Sequence, residues 1–311
     1  MNKIILITLC ILNFGCATPH KLNTRNPSED QKTNFDHYVD VFETKYFKIR
    51  QVKSDPPVPA NDLDILKKKL DTAYVAIEAL IGPPDWDFKK FDVLLEGAGM
   101  RQDGSALFPS VDDFGVIRLY QFPGLGGSGY LQGLPHEIVH AFRTKLRHLH
   151  NIELGDYLKG FGFIEEAFAE YISEIVEPTS ISFVNYGFPR QVVTGYWLTT
   201  HNEIPLTVLF NHHNINGKCV AQAYPLRTSF FFYLEQKFGR ASVIKLAKSE
   251  KSTTAEIFNT LFSKDLSTLE SDWKIWALAE FNHFDNHDAV LQMWLTRTPI
   301  KYFPVCKPPF F

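Results

Sequence analysis

The residues with the clearest chemical potential lie in the run Leu134-Pro135-His136-Glu137-Ile138-Val139-His140-Ala141-Phe142. Two histidines four residues apart stand one above the other on one helix face, so a single cation can take a nitrogen from each. Zinc accepts such nitrogens at ~2.0–2.1 Å in a tetrahedral set. Glu137 follows the first histidine by one residue and points beside the cation rather than at it. From there it can take a proton from an attacking water and pass it to a leaving amine. Ile138 and Val139 are apolar, as a helix buried behind such a site requires. Pro135 suits only a first helical turn, so the helix is expected to open at the motif.

A two-histidine set needs a third ligand. Downstream, apolar residues at positions 163, 164, 167, 168, 171 and 172 follow the helical period. On that helix Glu166 and Glu170 share a face, and Glu165 points about a quarter turn away. A carboxylate from a second helix is what a His-His-Glu zinc site uses. Spacing alone leaves the choice of glutamate open.

The pattern H-E-x-x-H is the zincin protease signature. With two later segments, the chain resembles the gluzincin metallopeptidases, especially the aminopeptidase N and leukotriene hydrolase branch. The first of these segments is Phe163-Ile164-Glu165-Glu166-Ala167-Phe168-Ala169-Glu170-Tyr171. It is similar to that branch's W-L-N-E-G-F-A-E-Y helix, with Glu166 at the position of the metal-binding Glu. The second runs from Tyr224-Pro225-Leu226-Arg227 to Tyr233-Leu234-Glu235-Gln236-Lys237-Phe238-Gly239. It resembles the family's Y-x-x-G-x-x-x-x-x-Y-L-E-x-x-x-G helix, whose first Tyr hydrogen-bonds the oxyanion; Tyr224 is the matching residue. The likeness covers about residues 130–280 and is nearest to the small peptidase MA-like proteins.

The resemblance implies zinc held by His136, His140 and Glu166, with Glu137 as general base and Tyr224 as oxyanion donor. Glu165 is the alternative third ligand if the helix phase is off by one residue. Glu170 is expected to orient a ligating histidine, or else to be an exposed helix carboxylate. Two departures stand out. The gap from His140 to Glu166 is longer than the branch usually shows. Glu96-Gly97-Ala98-Gly99-Met100 lacks the Glu of the aminopeptidases' G-x-M-E-N, which argues for an endopeptidase over an aminopeptidase. The other reading is a binding or assembly lipoprotein that keeps the fold without activity. Retention of all five site residues argues against it.

The elements that must position these residues predict an α+β fold: a small mixed sheet, the H-E-x-x-H helix, then a mostly helical C-terminal subdomain. Strands are expected in 41–52, 91–95 and 115–122, and an amphipathic helix over 62–80, stopped by Gly82-Pro83-Pro84. The 115–122 strand reads either as an edge that pairs with substrate backbone or as an ordinary interior strand. Pro123-Gly124-Leu125-Gly126-Gly127-Ser128-Gly129 lacks the lysine and hydroxyl of a phosphate loop and reads as a rim. Arg143, Lys145, Arg147, His148 and His150 read as a solvated helix end. Later helices are expected over 224–238, 241–247, 254–262 and 266–281, with Phe230, Phe231, Phe232 and Leu234 in the core. His201, His212 and His213 read as surface residues, or one of them as lining the cleft.

The chain has 311 residues, 45% hydrophobic content and 27 Phe, enough for a sizeable core. A net charge of −3 and the lack of a long basic run give no support for nucleic-acid binding. The expected partner is a peptide or protein substrate. Met1-Asn2-Lys3 followed by an apolar stretch to Gly15 reads as a targeting segment too short to span a bilayer. Gly15-Cys16-Ala17 resembles a bacterial lipoprotein box, which implies acylation of Cys16, export and a membrane anchor; the alternatives are plain secretion, with Cys16 an ordinary signal-peptide cysteine, and an uncleaved helix. The boundaries follow as 1–16 signal, 17–40 flexible tether, 41–175 sheet and metal helices, 176–300 helical subdomain and 301–311 tail. In an oxidising compartment Cys219 and Cys306 either form a disulfide or stay as buried thiols.

Overall fold

The structure is a computed structural model that describes residues 34–87, 89–98, 109–121, 133–154, 160–178, 188–200, 204–211, 220–250 and 255–285. All of these fall within one compact unit, 32–311. Cys16, Cys219, Cys306, the glycine-rich stretch 123–129, His201, His212, His213 and the 301–311 tail lie outside the described residues.

The fold is α+β. Five strands form one sheet in the order β1-β2-β3-β5-β4: β1 Tyr38–Glu43, β2 Phe47–Val52, β3 Phe91–Ala98, β4 Ser110–Val111 and β5 Ile117–Gln121. The pairs β1/β2 and β4/β5 are antiparallel; β2/β3 and β3/β5 are parallel. The single strand expected over 41–52 is therefore a hairpin, turned at Thr44–Tyr46, where the Thr44 amide donates to the Phe47 carbonyl. Its first strand begins at Tyr38, inside the stretch read as a tether.

Alternation decides what the sheet buries. In register, Ile49, Val93 and Ile117 lie side by side, as do Phe47 and Phe91, and Leu95 and Leu119. All seven are buried. Helix α1 (Ala60–Ile81) covers this face with Leu66, Leu70, Ala73, Tyr74, Ile77 and Ile81 at helical spacing. It ends at Gly82, whose φ of 86° is open to glycine at little cost. The other sheet face carries Lys48, Arg50, Asp92, Glu96 and Arg118, paired into ion bridges such as Arg118 to Glu96.

Strand β5 is interior where β4 pairs with Ile117 and Arg118. Beyond that point, 119–121 have no partner on the β4 side among the described residues.

The remaining helices are α2 (Leu134–Phe142), α3 (Thr144–His148), a π-helical turn (Leu149–Leu154), α4 (Phe161–Val176), α5 (Arg190–Thr199) and α6 (Leu206–Asn211). After them come α7 (Val220–Phe238), α8 (Arg240–Ala247), α9 (Glu256–Phe262) and α10 (Leu266–Asn282). All nine residues of α2 are buried, because α2 is wedged between α1 and α4. Phe142 closes it, stacked on Phe91 at 5.8 Å and tilted against Tyr74 at 4.8 Å between ring centroids. Burying such a ring contributes ~1.5–3 kcal/mol and pins the helix to the sheet. Behind α4, helix α7 packs Phe230, Phe231 and Leu234 into the core as the sequence predicts; Phe232 is partly buried against it. Helix α5 crosses α10 at Gly195, where a Cβ would come within 2.2 Å of the Phe281 Cβ.

Candidate metal centre

The site is built where α2 meets α4. Gly133, with φ 70°, turns the chain into α2, and Pro135 occupies its first turn. Gly160, with φ 108°, does the same for α4. The two helices bring His136, His140 and Glu166 together with one ligand atom from each inside 4.8 Å. The two Nε2 atoms are 2.9 Å apart. The His136 Nε2 lies 3.4 Å from Glu166 Oε2, and the His140 Nε2 lies 3.8 Å from Glu166 Oε1. Ligand atoms on a tetrahedral zinc with ~2.05 Å bonds are about 3.3–3.4 Å apart, so these separations bracket that edge.

The opposite nitrogens show how the rings are held. His140 Nδ1 is 2.6 Å from Glu165 Oε1, and His136 Nδ1 is 3.2 Å from Glu170 Oε1. A carboxylate at Nδ1 draws the proton there and leaves Nε2 with its lone pair. A cation between the two Nε2 atoms, 2.9 Å apart, would take a lone pair from each together with the Glu166 carboxylate, so the donor set fits zinc. The pocket's demand for positive charge shows in the titration. Burial opposes protonation of His136, yet Glu166 and Glu170 raise its pKa well above the ordinary value. Burial likewise works against the Glu166 carboxylate, but His136, His140 and Arg227 hold it well below the usual range.

Each of the four glutamates of α4 at the site, Glu165, Glu166, Glu170 and Glu174, has a guanidinium. Arg190 donates through Nη2 to Glu170 Oε2 at 2.6 Å and through Nε to Glu174 Oε2 at 2.9 Å. Arg143 Nη2 is 3.0 Å from Glu165 Oε2, and Arg147 Nε is 3.6 Å from Glu165 Oε1. Arg227 lies 4.0 Å from Glu166 Oε2 and its guanidinium stacks 4.3 Å over the Tyr224 ring. The Tyr224 hydroxyl donates to Glu166 Oε2 at 2.8 Å. Burial, followed by the charge of Glu166, raises its pKa well above the usual phenol value, so it remains a donor at neutral pH.

Glu137 is buried at 6% exposure and is not one of the three converging residues. Burial raises its pKa, against the pull of His136 and His140.

These positions bear on two sequence readings. Glu166 faces both imidazoles, whereas Glu165 lies against His140 Nδ1 and is not among the three converging residues. Glu170 lies against His136 and Arg190 and is not an exposed helix carboxylate. A third reading is corrected: the basic stretch after α2 is not a solvated helix end. Arg143 is 5% exposed and His150 is fully buried, stacked 4.3 Å from Phe161; Lys145 alone of the stretch is exposed. A signal for this was present, since His136, His140, Arg143 and Arg147 fall at i, i+4, i+7 and i+11, one helical stripe. Arg190 had no such signal, because it reaches the site from a separate helix. Comparison with protein-family models and with curated proteins finds no match for the chain.

Proposed function

We propose that the chain is a zinc-dependent endopeptidase of the gluzincin type, exported and anchored to a bacterial membrane through Cys16. The observation that supports the catalytic part is the approach of both Nε2 atoms and the Glu166 carboxylate to one point. His136, His140 and Glu166 would hold the metal. Zinc bound there would polarise a scissile carbonyl and lower the pKa of water toward ~7.

The remaining chemistry belongs to the side chains. Glu137 takes the proton from the attacking water and delivers it to the leaving amine. Its burial strengthens its hold on a proton, which suits a group that carries one from water to amine. Tyr224 keeps its proton and donates to the tetrahedral oxyanion; to do so its O–H turns from Glu166 toward the substrate. Arg190 and Glu170 keep the His136 ring in place.

The test is cleavage of casein and of a peptide library by the purified protein, with and without o-phenanthroline. Internal cleavage that the chelator stops and zinc restores is the expected result. Zinc-loaded protein that leaves every peptide intact refutes the reading and leaves a binding protein in its place.

A further inference from the structure

We propose that Arg143 is a positioning residue for the His140 imidazole, acting through Glu165. The inference rests on the zinc-site reading above. Glu165 is 1% exposed and divides its two oxygens: Oε1 lies 2.6 Å from His140 Nδ1 in a hydrogen bond, and Oε2 faces the Arg143 guanidinium in an ion pair, 3.0 Å from Nη2. A carboxylate held only at Oε1 can swivel about its last bond, and the imidazole with it. Holding the second oxygen removes that freedom.

Arg143 is itself fixed from two further sides. The same Nη2 donates to the Ala247 carbonyl at the end of α8, 2.6 Å away. The guanidinium lies 4.8 Å over the Phe168 ring on α4. Planar, forked and weakly hydrated, a guanidinium suits such a buried junction better than an ammonium. Arg147, with Nε 3.6 Å from Glu165 Oε1, adds charge on the His140 side. The ring that must aim Nε2 at the metal is thus held through a carboxylate by a cation belonging to three elements, α2, α4 and α8.

The competing role for Arg143 is a strut that ties α8 to the end of α2 and has no bearing on the metal. A double-mutant cycle separates the two. Zinc affinity is measured by competition with a chromophoric chelator for the wild type, Arg143→Met, Glu165→Gln and the double variant, each checked for folding by its metal-free melting curve. Outer partners of metal-bound histidines are worth ~10–100-fold in affinity.

Arg143→Met is expected to weaken zinc binding about tenfold and Glu165→Gln by up to ~100-fold. The double variant should bind no more weakly than Glu165→Gln alone, because Arg143 has nothing to act through once Glu165 is replaced. Losses that multiply, or an Arg143→Met protein with wild-type affinity, overturn the inference. If the Met variant does not fold, Arg143→Lys takes its place in the same cycle, with a smaller loss that again must vanish in the Glu165→Gln background. A wild-type chain that takes up no zinc refutes the metal-site reading itself, which keeps the two failures distinct.

Discussion

Replacing Arg190 by Met keeps most of the side-chain volume and removes one buried cation. Arg190 is 1% exposed, and its two hydrogen bonds hold Glu170 and Glu174. Burial works against the Glu170 charge, yet Arg190 and then His136 hold its pKa at about 2. Without the guanidinium, two half-buried carboxylates, their side chains 14% and 19% exposed, lose their counter-charge. Breaking a buried pair by removing one partner costs ~3–5 kcal/mol. Burial already raises the Glu174 pKa, so that residue can take up a proton and relieve part of the cost. Glu170 keeps its contact with His136. The lower end, about 3 kcal/mol, is therefore the expected loss. In a fold of this size each kcal/mol moves the melting point by ~2–4 °C, giving a drop of roughly 6–12 °C in the metal-free protein at neutral pH. The assay is a calorimetric or circular-dichroism melt, with zinc affinity measured alongside. Adding Glu174→Gln should recover part of the loss. A drop under about 2 °C would show that the Arg190 network contributes no more than an exposed ion pair, and the reasoning about buried charge here would be wrong.

Glu137→Gln should leave zinc binding and the melting point close to wild type, since Glu137 is not among the converging residues, while kcat falls at least ~10²–10⁴-fold; a variant that still cleaves casein removes Glu137 from the mechanism. Gly195→Ala forces a methyl group against the Phe281 Cβ and the Ala277 carbonyl and should destabilise by ~1–3 kcal/mol, read by urea titration; an unchanged midpoint would mean that α5 and α10 can separate freely. Asp265 caps α10 by accepting from the Thr268 amide at 2.7 Å. Asp265→Ala should cost about 1 kcal/mol, with Asp265→Ser recovering most of it in the same titration.

Much of the site was legible because its chemistry is local to two helices. The i, i+4 spacing of His136 and His140, and of Glu166 and Glu170, needs only helical geometry to put each pair on one face. The choice between Glu165 and Glu166 needed the angle at which α4 meets α2. Only tertiary packing supplies that, and the two residues proved to serve the same ring from opposite nitrogens. Arg190 was invisible for the same reason: it enters from α5, and nothing around it in the chain marks it as buried. Arg143 and Arg147 depart from expectation because basic residues at a helix end are ordinarily solvated, whereas here they continue the helical stripe of His136 and His140. In the sheet, α1 and β3 were readable from periodicity, whereas the β1/β2 hairpin was read as one strand. Its turn at Thr44–Tyr46 has none of the Gly, Pro or Asn that usually mark one.

The most direct measurement is the metal content of purified protein after exposure to zinc and removal of excess, for the wild type and for His136→Ala, His140→Ala, Glu166→Ala and Glu137→Gln. The geometry predicts about one zinc per chain in the wild type and in Glu137→Gln, and almost none in the other three. A wild-type chain without zinc, or a Glu166→Ala chain that retains it undiminished, would contradict the convergence of α2 and α4 on a single ion.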